Sequence, residues 1–354
     1  MKKIVFGLAI LCLGLPSCKE SALESPQLAG KGSTNTNSTT AWTYVGDIPE
    51  NVNGAEFSFV IAKKAYAGQG DLNYDDYFLS EYDSKNNTWT AGKEDWSYSV
   101  TLGSDAVGFA IGEFGYAGTG SIHRAGAGSS AVNDLWQYNP KTNAWIQKRN
   151  TPIPLSSTVG FSIGNKGYVG TGYTGYEGTP DGEYYFNYIL TNYFYEYDPQ
   201  TDSWTKKASF PGKLRRSATG FSIGKQGYIG MGSAPNSGVD QCIFQDLWGY
   251  NQETNKWKRK ADFPGGARTG VVAFSIGNKG YMGAGFGKVD PVKQERERHD
   301  DMWEFDPENN SWTLVEPFPE ERVAAGKPFI IDNKAYIITF FDNKRELWIF
   351  DPSK

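Results

Sequence analysis

Residues 160–172 read GFSIGNKGYVGTG, and residues 193–211 read YFYEYDPQTDSWTKKASFP. With the polar insert between them, these segments form a unit that the chain repeats with variations. The first segment predicts a hairpin of two short strands, because Gly164 and Asn165 suit the positive φ of a two-residue turn. The second predicts two more strands, since its aromatic residues alternate and a polar turn precedes Trp204. Each unit is therefore predicted to be a four-stranded meander.

The unit occurs six times, and one copy is divided between the two ends of the chain. The tyrosine that follows the first turn marks each copy, at Tyr66, Tyr116, Tyr168, Tyr228, Tyr281 and Tyr336. The tryptophan of the last strand marks five of them, at Trp89, Trp145, Trp204, Trp257 and Trp312. The sixth copy ends at Lys354 before such a tryptophan, and Trp42 near the other end supplies it. This arrangement predicts a closed ring.

The composition agrees with an all-β fold and excludes one class of partner. The chain has 21 Tyr, 21 Phe, 11 Trp and 42 Gly, and β-rich proteins favour such aromatic residues. Its net charge of −5 argues against nucleic acid, because binding phosphates requires a concentrated basic field. Two of the three cysteines, Cys12 and Cys18, lie in the leader, so the folded part is expected to hold only Cys242 and no internal disulfide.

A specific resemblance emerges from the order of these motifs. Tyr-x-Gly-x-Gly, a variable loop, a strand such as DLWQYNP at residues 134–140 and then a tryptophan resemble the kelch repeat. The resemblance covers nearly all of residues 41–354. It implies a six-bladed kelch-type β-propeller, similar to the central domain of galactose oxidase, closed by the N-terminal strand pairing into the last blade. Kelch repeats usually carry adjacent glycines, whereas here the two are separated, and the sixth unit reads YIITF at 336–340.

The propeller implies a structural role for the repeated tryptophans. Each is expected to pack between neighbouring blades, with the aromatic residues of the third strands beside it. The set is Trp42, Trp89, Trp145, Trp204, Trp257 and Trp312. We therefore do not expect these rings to bind a ligand.

The N-terminus predicts export and a lipid anchor. Residues 1–18 have two lysines, an apolar run of about a dozen residues and a small residue before Cys18. Leu15 to Cys18 resemble a bacterial lipobox, in which the cysteine is acylated; the alternative is an ordinary cleaved signal that ends near a cysteine. Residues 19–40 are rich in Ser, Thr, Asn and Gly and are predicted to form a flexible tether. Because Lys19 rather than Asp follows Cys18, we expect the outer membrane or cell surface of a Gram-negative bacterium.

Loop lengths indicate where a function lies. The first and third turns of each unit are short, and most of the length variation falls between the second and third strands. In a four-stranded meander these long loops share one face of the ring with the connections between blades. We call it the long-loop face and expect the binding surface there, since binding residues collect on loops held by a rigid scaffold.

Two sets of residues on this face are candidates for ligand binding. The third long loop combines aromatic rings with carboxylates, a mixture that suits a sugar, although the rings could instead pin the loop to its blade. The residues chosen there are Tyr176, Glu177, Tyr184 and Tyr185. The inter-blade connections carry arginines that could clamp a carboxylate, or else pair with neighbouring acids. These are Arg215, Arg216, Arg268 and Arg322.

No catalytic residue, metal ligand or cofactor is predicted. The only histidines, His123 and His299, fall in the second and fifth units. They therefore do not suggest the copper site of a galactose oxidase. We find neither a Gly-x-Ser-x-Gly motif nor zinc-ligand spacing.

The leading functional hypothesis is a lipid-anchored binding module that captures a glycan or a partner protein on the long-loop face. One alternative is an epimerase similar to the sialic-acid mutarotases, which are also kelch-type propellers. The other is a scaffold subunit of an envelope complex. The fold does not decide among them.

Overall fold

The computed structural model describes residues 40–49, 52, 56–69, 78–91, 102–124, 128–177, 187–234, 242–290, 293, 295–319, 323–324, 327–341 and 344–354. All of them belong to one compact unit, Gly32–Lys354. Throughout these ranges the regular structure is β, and no helix there has the length and apolar character needed to span a membrane. The predicted leader at 1–18 and all but the last residue of the tether lie outside the described residues.

Six antiparallel sheets follow one another along the chain as blades 1 to 6. The strands of blade 1 are β2 (Phe57–Ile61), β3 (Lys64–Gln69), β4 (Phe78–Asp83) and β5 (Thr88–Thr90). Those of blade 2 are β6 (Val107–Ile111), β7 (Phe114–Gly118), β10 (Leu135–Asn139) and β11 (Ala144–Lys148). Those of blade 3 are β12 (Val159–Ile163), β13 (Lys166–Gly170), β16 (Phe194–Asp198) and β17 (Ser203–Lys206).

The remaining blades repeat the pattern. Blade 4 consists of β18 (Thr219–Ile223), β19 (Gln226–Gly230), β22 (Leu247–Asn251) and β23 (Lys256–Arg259). Blade 5 consists of β24 (Val272–Ile276), β25 (Lys279–Gly283), β28 (Met302–Asp306) and β29 (Ser311–Val315). Blade 6 consists of β31 (Phe329–Ile331), β32 (Lys334–Phe341), β33 (Lys344–Phe350) and β1 (Trp42–Asp47), with β30 (Val323–Ala324) added beside β32.

The ring closes as the sequence predicts. Strand β1 pairs with β33, and Trp42 lies opposite Phe350 in the register. Their rings are 4.9 Å apart, and Trp42 also contacts Phe318 at 4.3 Å between ring centroids. The innermost strands of blades 1 and 6 are neighbours as well. The chain is therefore a six-bladed β-propeller whose last blade includes the N-terminal strand.

The innermost strands are held together by glycine and phenylalanine. The middle phenylalanine of each innermost strand in blades 1 to 4 lies over a glycine of the second strand in the next blade. The pairs are Phe59–Gly115, Phe109–Gly167, Phe161–Gly227 and Phe221–Gly280. In blades 1 and 6 the glycine position holds Ala65 and Ala335, which are fully buried. The tight axial packing explains why these strands are rich in small residues.

The repeated tryptophans join neighbouring blades, as predicted. Four of them donate an indole N–H to a carbonyl at the exit of the preceding blade. The pairs are Trp204 to Arg149 at 2.8 Å, Trp257 to Ala208 at 2.8 Å, Trp312 to Ala261 at 3.0 Å and Trp42 to Glu316 at 3.2 Å. Trp89 packs against Phe329 of blade 6, and Trp145 against Phe59 of blade 1. All six rings are therefore structural.

The separated glycines form a left-handed bend at the end of the second strand in blades 2 to 5. The residue between them has a φ of 53° to 62°, and the second glycine a φ of 84° to 95°. The middle residues are Thr119, Thr171, Met231 and Ala284. A β-carbon on Gly120 would lie 2.6 Å from the Ser104 carbonyl oxygen, so the second position requires glycine.

After each bend, blades 2 to 5 carry a small two-stranded hairpin on the long-loop face. The hairpins are β8 (Ser121–Arg124) with β9 (Gly128–Ala131), β14 (Tyr173–Glu177) with β15 (Asn187–Leu190), β20 (Ser233–Ala234) with β21 (Cys242–Ile243), and β26 (Phe286–Val289) with β27 (Arg296–Arg298). Cys242 is disulfide-bonded, whereas the sequence predicts a lone thiol in the folded part.

Candidate functional site

A cavity of about 470 Å³ lies on the axis of the propeller. All six blades contribute to it, through the first residues of the innermost strands and the connections that precede them. The lining comprises Glu56, Ser58, Asp105 to Gly108, Ser157 to Gly160, Ser217 to Gly220, Thr269 to Ala273, Phe286, Lys327 and Pro328. Because Phe286 begins a long loop and the other segments enter from the inter-blade connections, the cavity belongs to the long-loop face.

Blades 2 to 5 present one residue each at an equivalent place in the lining, two positions before the innermost strand. These residues are Asp105, Ser157, Ser217 and Gly270, with φ values of 60°, 47°, 52° and 67°. Left-handed backbone is uncommon for residues other than glycine, although Asp and Asn adopt it more readily than most. Its recurrence turns each connection sharply into the axial strand, so that this position borders the cavity in all four blades. We call these four residues the collar.

The charges of the lining are confined to three consecutive blades. Lys327 of blade 6, Glu56 of blade 1 and Asp105 of blade 2 are charged. Blades 3, 4 and 5 contribute only hydroxyl, glycine and apolar residues to the lining. The cavity therefore has a charged half and an uncharged half.

Asp105 is oriented by the next blade. The Ser157 hydroxyl donates a hydrogen bond of 2.6 Å to Oδ2 of Asp105. Ser157 itself is buried, whereas Asp105 is exposed within the cavity. The bond fixes the rotamer of a carboxylate that a ligand in the cavity can reach.

Lys327 is the one cation in the described lining. Its side chain is accessible to solvent within the cavity. Desolvation by the protein around the axis lowers the pKa of Lys327, and the negative charge of Asp105 partly opposes the shift. The Ser58 hydroxyl lies 3.3 Å from the Lys327 carbonyl and 3.2 Å from that of Pro328, which ties this segment to blade 1. Lys327 and Asp105 thus place an amine and a carboxylate in the same half of the cavity, two kinds of group that can transfer protons in catalysis.

Arg215 is fully buried and does not line the cavity. Its guanidinium forms a bidentate ion pair with Asp246, with N–O distances of 2.6 and 2.8 Å. It also donates to the carbonyl of Met231 at 2.9 Å and to that of Lys213 at 3.0 Å. Asp246 accepts a further bond of 2.7 Å from Trp248. Arg215 thus joins the blade entrance to the ends of the second and third strands.

Arg268 repeats this arrangement in blade 5. It pairs with both carboxylate oxygens of Asp301 and donates to the carbonyl of Ala284 at 3.2 Å. To clamp a ligand, Arg215 or Arg268 would first have to leave these buried partners. Their assignment as ligand-binding residues stays a prediction, and the geometry assigns them a structural contact that the sequence offered as the alternative.

Arg216 points toward the third long loop. Its guanidinium lies 4.1 Å from the ring centroid of Tyr188 in β15. Of the predicted aromatic and acidic set, Tyr176 and Glu177 pair through their backbones with Tyr188 and Asn187 in the β14–β15 hairpin. The side chains of Tyr176 and Glu177, and the whole of Tyr184, Tyr185 and Arg322, lie outside the described part of the chain. None of the predicted residues that the structure describes lines the cavity.

Sequence reasoning missed Asp105, Lys327 and Phe286. The repeat alignment carried the signal for two of them. Aligning 327–336, KPFIIDNKAY, with 159–168, VGFSIGNKGY, puts Lys327 where other blades have an apolar or Thr residue at the start of the innermost strand. Asp105 stands where the next two units have Ser157 and Ser217. The repeat alignment gave no signal for Phe286, because the direction of its side chain depends on the backbone bend that precedes it.

Among the described residues there is no cluster of three His, Cys, Asp or Glu side chains that could hold a metal ion.

No protein-family model matches the chain. An N-acetylneuraminate epimerase of Pasteurella multocida (strain Pm70) is 27% identical over 134 residues, which are 38% of this chain and 32% of that protein. An N-acetylneuraminate epimerase of Yersinia enterocolitica serotype O:8 / biotype 1B is 32% identical over 98 residues, which are 27% of this chain and 22% of that protein. The chain thus spans about a third or less of the length of these curated relatives.

A solved structure, "Structure of YjhT", superposes with a TM-score of 0.65 at 16% identity. The superposition covers 85% of this chain and 94% of that one. At this identity the likeness concerns the fold alone, and it agrees with the six blades described above.

Proposed function

We propose that the axial cavity binds a carboxylated monosaccharide of the sialic acid class, and that the protein interconverts its anomers as an epimerase. The observation that carries the proposal is the pair of proton-transfer groups, Asp105 and Lys327, in the charged half of the cavity. The names of the relatives, N-acetylneuraminate epimerases, support the choice of sugar. The epimerase therefore replaces the non-catalytic binding module as our leading hypothesis.

The chemistry asks little of the protein. Opening a sugar ring requires a base that removes the proton of the anomeric hydroxyl and an acid that protonates the ring oxygen. The C–O ring bond then breaks to give a carbonyl, and closure from its other face gives the second anomer. In our proposal Asp105, held by Ser157, accepts the hydroxyl proton, and the Lys327 ammonium donates to the ring oxygen. Closure returns both protons, so the step balances.

The charges restrict the orientation of the sugar. The described lining has two carboxylates and one ammonium, so a carboxylate on the ligand is favoured only beside Lys327. In a sialic acid the carboxylate is attached to the anomeric carbon, next to the ring oxygen. One ammonium group can therefore pair with the carboxylate and also reach the ring oxygen.

Anomer interconversion by proton NMR tests the proposal. One anomer of N-acetylneuraminate is dissolved, and its approach to equilibrium is followed with and without the protein. We expect acceleration by the wild type and a loss of about 10²-fold or more in Asp105→Asn or Lys327→Met, the usual contribution of an acid or base. Lys225→Met is the control, because Lys225 lies in a turn at the opposite end of blade 4 and pairs with Glu253. A rate equal to that in buffer would reject the epimerase.

If the protein binds the sugar without accelerating anomer exchange, the hypothesis of a non-catalytic binding module for a glycan or a partner protein is favoured instead. Saturable shifts of the sugar resonances, abolished in Lys327→Met but unaccompanied by faster anomer exchange, would identify that case. If neither binding nor exchange is found, the scaffold reading is the one left to examine.

We also propose, from the sequence, that the chain is a kelch-type lipoprotein anchored through Cys18 at the outer membrane. The support is the lipobox-like Leu15 to Cys18 segment and the lysine that follows it. Mass spectrometry of the protein from membranes tests this: an acylated N-terminal Cys18 is expected, and Cys18→Ser should release the chain into the soluble fraction. An unacylated wild-type chain would reject the anchor.

A further inference from the structure

Among the described residues that line the uncharged half of the cavity, one has an aromatic ring: Phe286 of blade 5. The backbone of Phe286 exchanges two hydrogen bonds, of 2.8 and 3.0 Å, with Thr269 at the entrance to its blade. The residue is half-buried and lines the cavity. Because blade 5 stands three blades from blade 2, the ring lies across the axis from Asp105.

The other blades serve as internal comparisons for this position. The residues that occupy the place of Phe286 in blades 2, 3 and 4 are Ser121, Tyr173 and Ser233. None of these three lines the cavity. Tyr173 is the other large ring, but it is buried and packs on Tyr188 at 4.8 Å between ring centroids. Among blades 2 to 5, Phe286 is thus the one ring that this repeated position presents to the cavity.

The collar residue of the same blade makes room for the ring. Blades 2, 3 and 4 have the side chains of Asp105, Ser157 and Ser217 in the collar, whereas blade 5 has Gly270. A β-carbon on Gly270 would lie 3.3 Å from Cδ2 of Phe286, closer than most side chains tolerate. A serine or aspartate at this position would therefore require the ring to shift by a few tenths of an ångström. The missing side chain and the added ring occur together in one blade.

We propose that Phe286 is the platform on which the apolar C–H face of the bound sugar ring stacks, a specificity residue that rests on the proposed function. Sugar rings carry one face of C–H groups that packs on aromatic rings, and their hydroxyls need polar partners elsewhere. A monosaccharide between Phe286 and the charged half meets both requirements. The cavity thereby selects a pyranose with a continuous apolar face, oriented with its anomeric centre toward Asp105 and Lys327.

Ligand-observed NMR with N-acetylneuraminate tests this inference. An aromatic ring shifts the protons stacked on it upfield, so ring C–H protons of the bound sugar are expected to move upfield in the wild type. Phe286→Tyr should keep the shift, and Phe286→Leu should lose it with a three- to tenfold rise in Kd, as expected for one aromatic contact. Ser233→Ala is the matched control from blade 4 and should change neither.

The possible failures are distinguishable. If Phe286→Leu binds with wild-type affinity and unchanged shifts while Lys327→Met does not bind, the stacking inference is wrong and the proposed site stands. If the wild type does not bind the sugar, the proposed function fails and the inference with it.

Discussion

The ring of Phe161 in blade 3 covers the position where a side chain on Gly227 in blade 4 would begin. A β-carbon on Gly227 would lie 2.5 Å from Cζ of Phe161, well inside van der Waals contact. The same relation links blades 1 to 2, 2 to 3 and 4 to 5. The glycine that precedes the tyrosine of the second strand in blades 2 to 5 is therefore an inter-blade contact rather than a turn residue.

We predict that Gly227→Ala lowers the free energy of unfolding by about 1–3 kcal/mol, the usual cost of overpacking a core. The cost stays moderate because Ala65 and Ala335 occupy the equivalent place in blades 1 and 6. Chemical denaturation measures it. Gly175→Ala in β14 is the control, since its nearest neighbour would be Ile189 at 3.9 Å. Equal stability of the two variants would show that the blades separate easily at this contact.

The outer tryptophans predict a second stability effect. Trp257 packs on Phe194 at 5.0 Å between ring centroids and donates its N–H to Ala208 at 2.8 Å. We expect Trp257→Ala to cost about 3–5 kcal/mol, as for other large aromatic truncations in a core. Leu314→Ala, at a residue that is 44% exposed on the outer strand of blade 5, should cost less than 1 kcal/mol, about the usual limit for a surface change. Comparable losses of unfolding free energy in the two variants would contradict the packing of this tryptophan between neighbouring blades.

The architecture could be predicted from the sequence because every repeat encodes the same set of strands and turns. The turn residues Gly164 and Asn165, the alternating aromatic residues and the divided sixth unit together predict six blades and their closure. The number of blades is supported by several copies of the same motif. The degenerate strand at 336–340 therefore does not change the predicted number. The register of Trp42 opposite Phe350 confirms that closure.

The candidate site was harder to predict, because it depends on how the blades differ. Arg215 and Arg268 were predicted to bind a ligand because they are cations near the channel. Their charge alone does not show that a buried partner such as Asp246 is present. Asp105 looked like an ordinary loop residue, since its left-handed backbone and its position on the axis are properties of the closed ring. A residue-by-residue comparison of the repeats would have found Lys327, whereas no local pattern fixes the direction of Phe286.

The buried pair of Arg215 and Asp246 predicts an acid-sensitive contribution to stability. Burial alone would raise the pKa of Asp246, but the hydrogen bonds and charge of Arg215 outweigh it and leave the pKa below its ordinary value. A lowered pKa in the folded state means that the stabilisation is complete above the unfolded value, near 3.9, and is lost as the pH falls through the folded value.

Arg215→Met should therefore destabilise the fold by about 3–5 kcal/mol at neutral pH, because it leaves a buried carboxylate unpaired. Denaturation at pH 7 and at pH 3 measures the loss, which should shrink in acid as Asp246 takes up a proton. Arg215→Met/Asp246→Leu should recover part of it. Sugar binding by the folded fraction should not change; a specific loss of binding without a loss of stability would restore Arg215 to the ligand site.

We predict that sugar binding is lost at high pH when Lys327 loses its proton. Desolvation lowers its pKa below the ordinary 10.5, and Asp105 raises it part of the way back. If the ammonium form pairs with the sugar carboxylate, affinity should be full below this pKa and fall as the pH rises through it. NMR of the lysine side chains should show Lys327 titrating below the ordinary value for a lysine. In Asp105→Asn the titration should move lower still, because the favourable charge is gone. A Lys327 that titrates with the surface lysines, or a shift upward in Asp105→Asn, would mean that the two groups do not share one cavity.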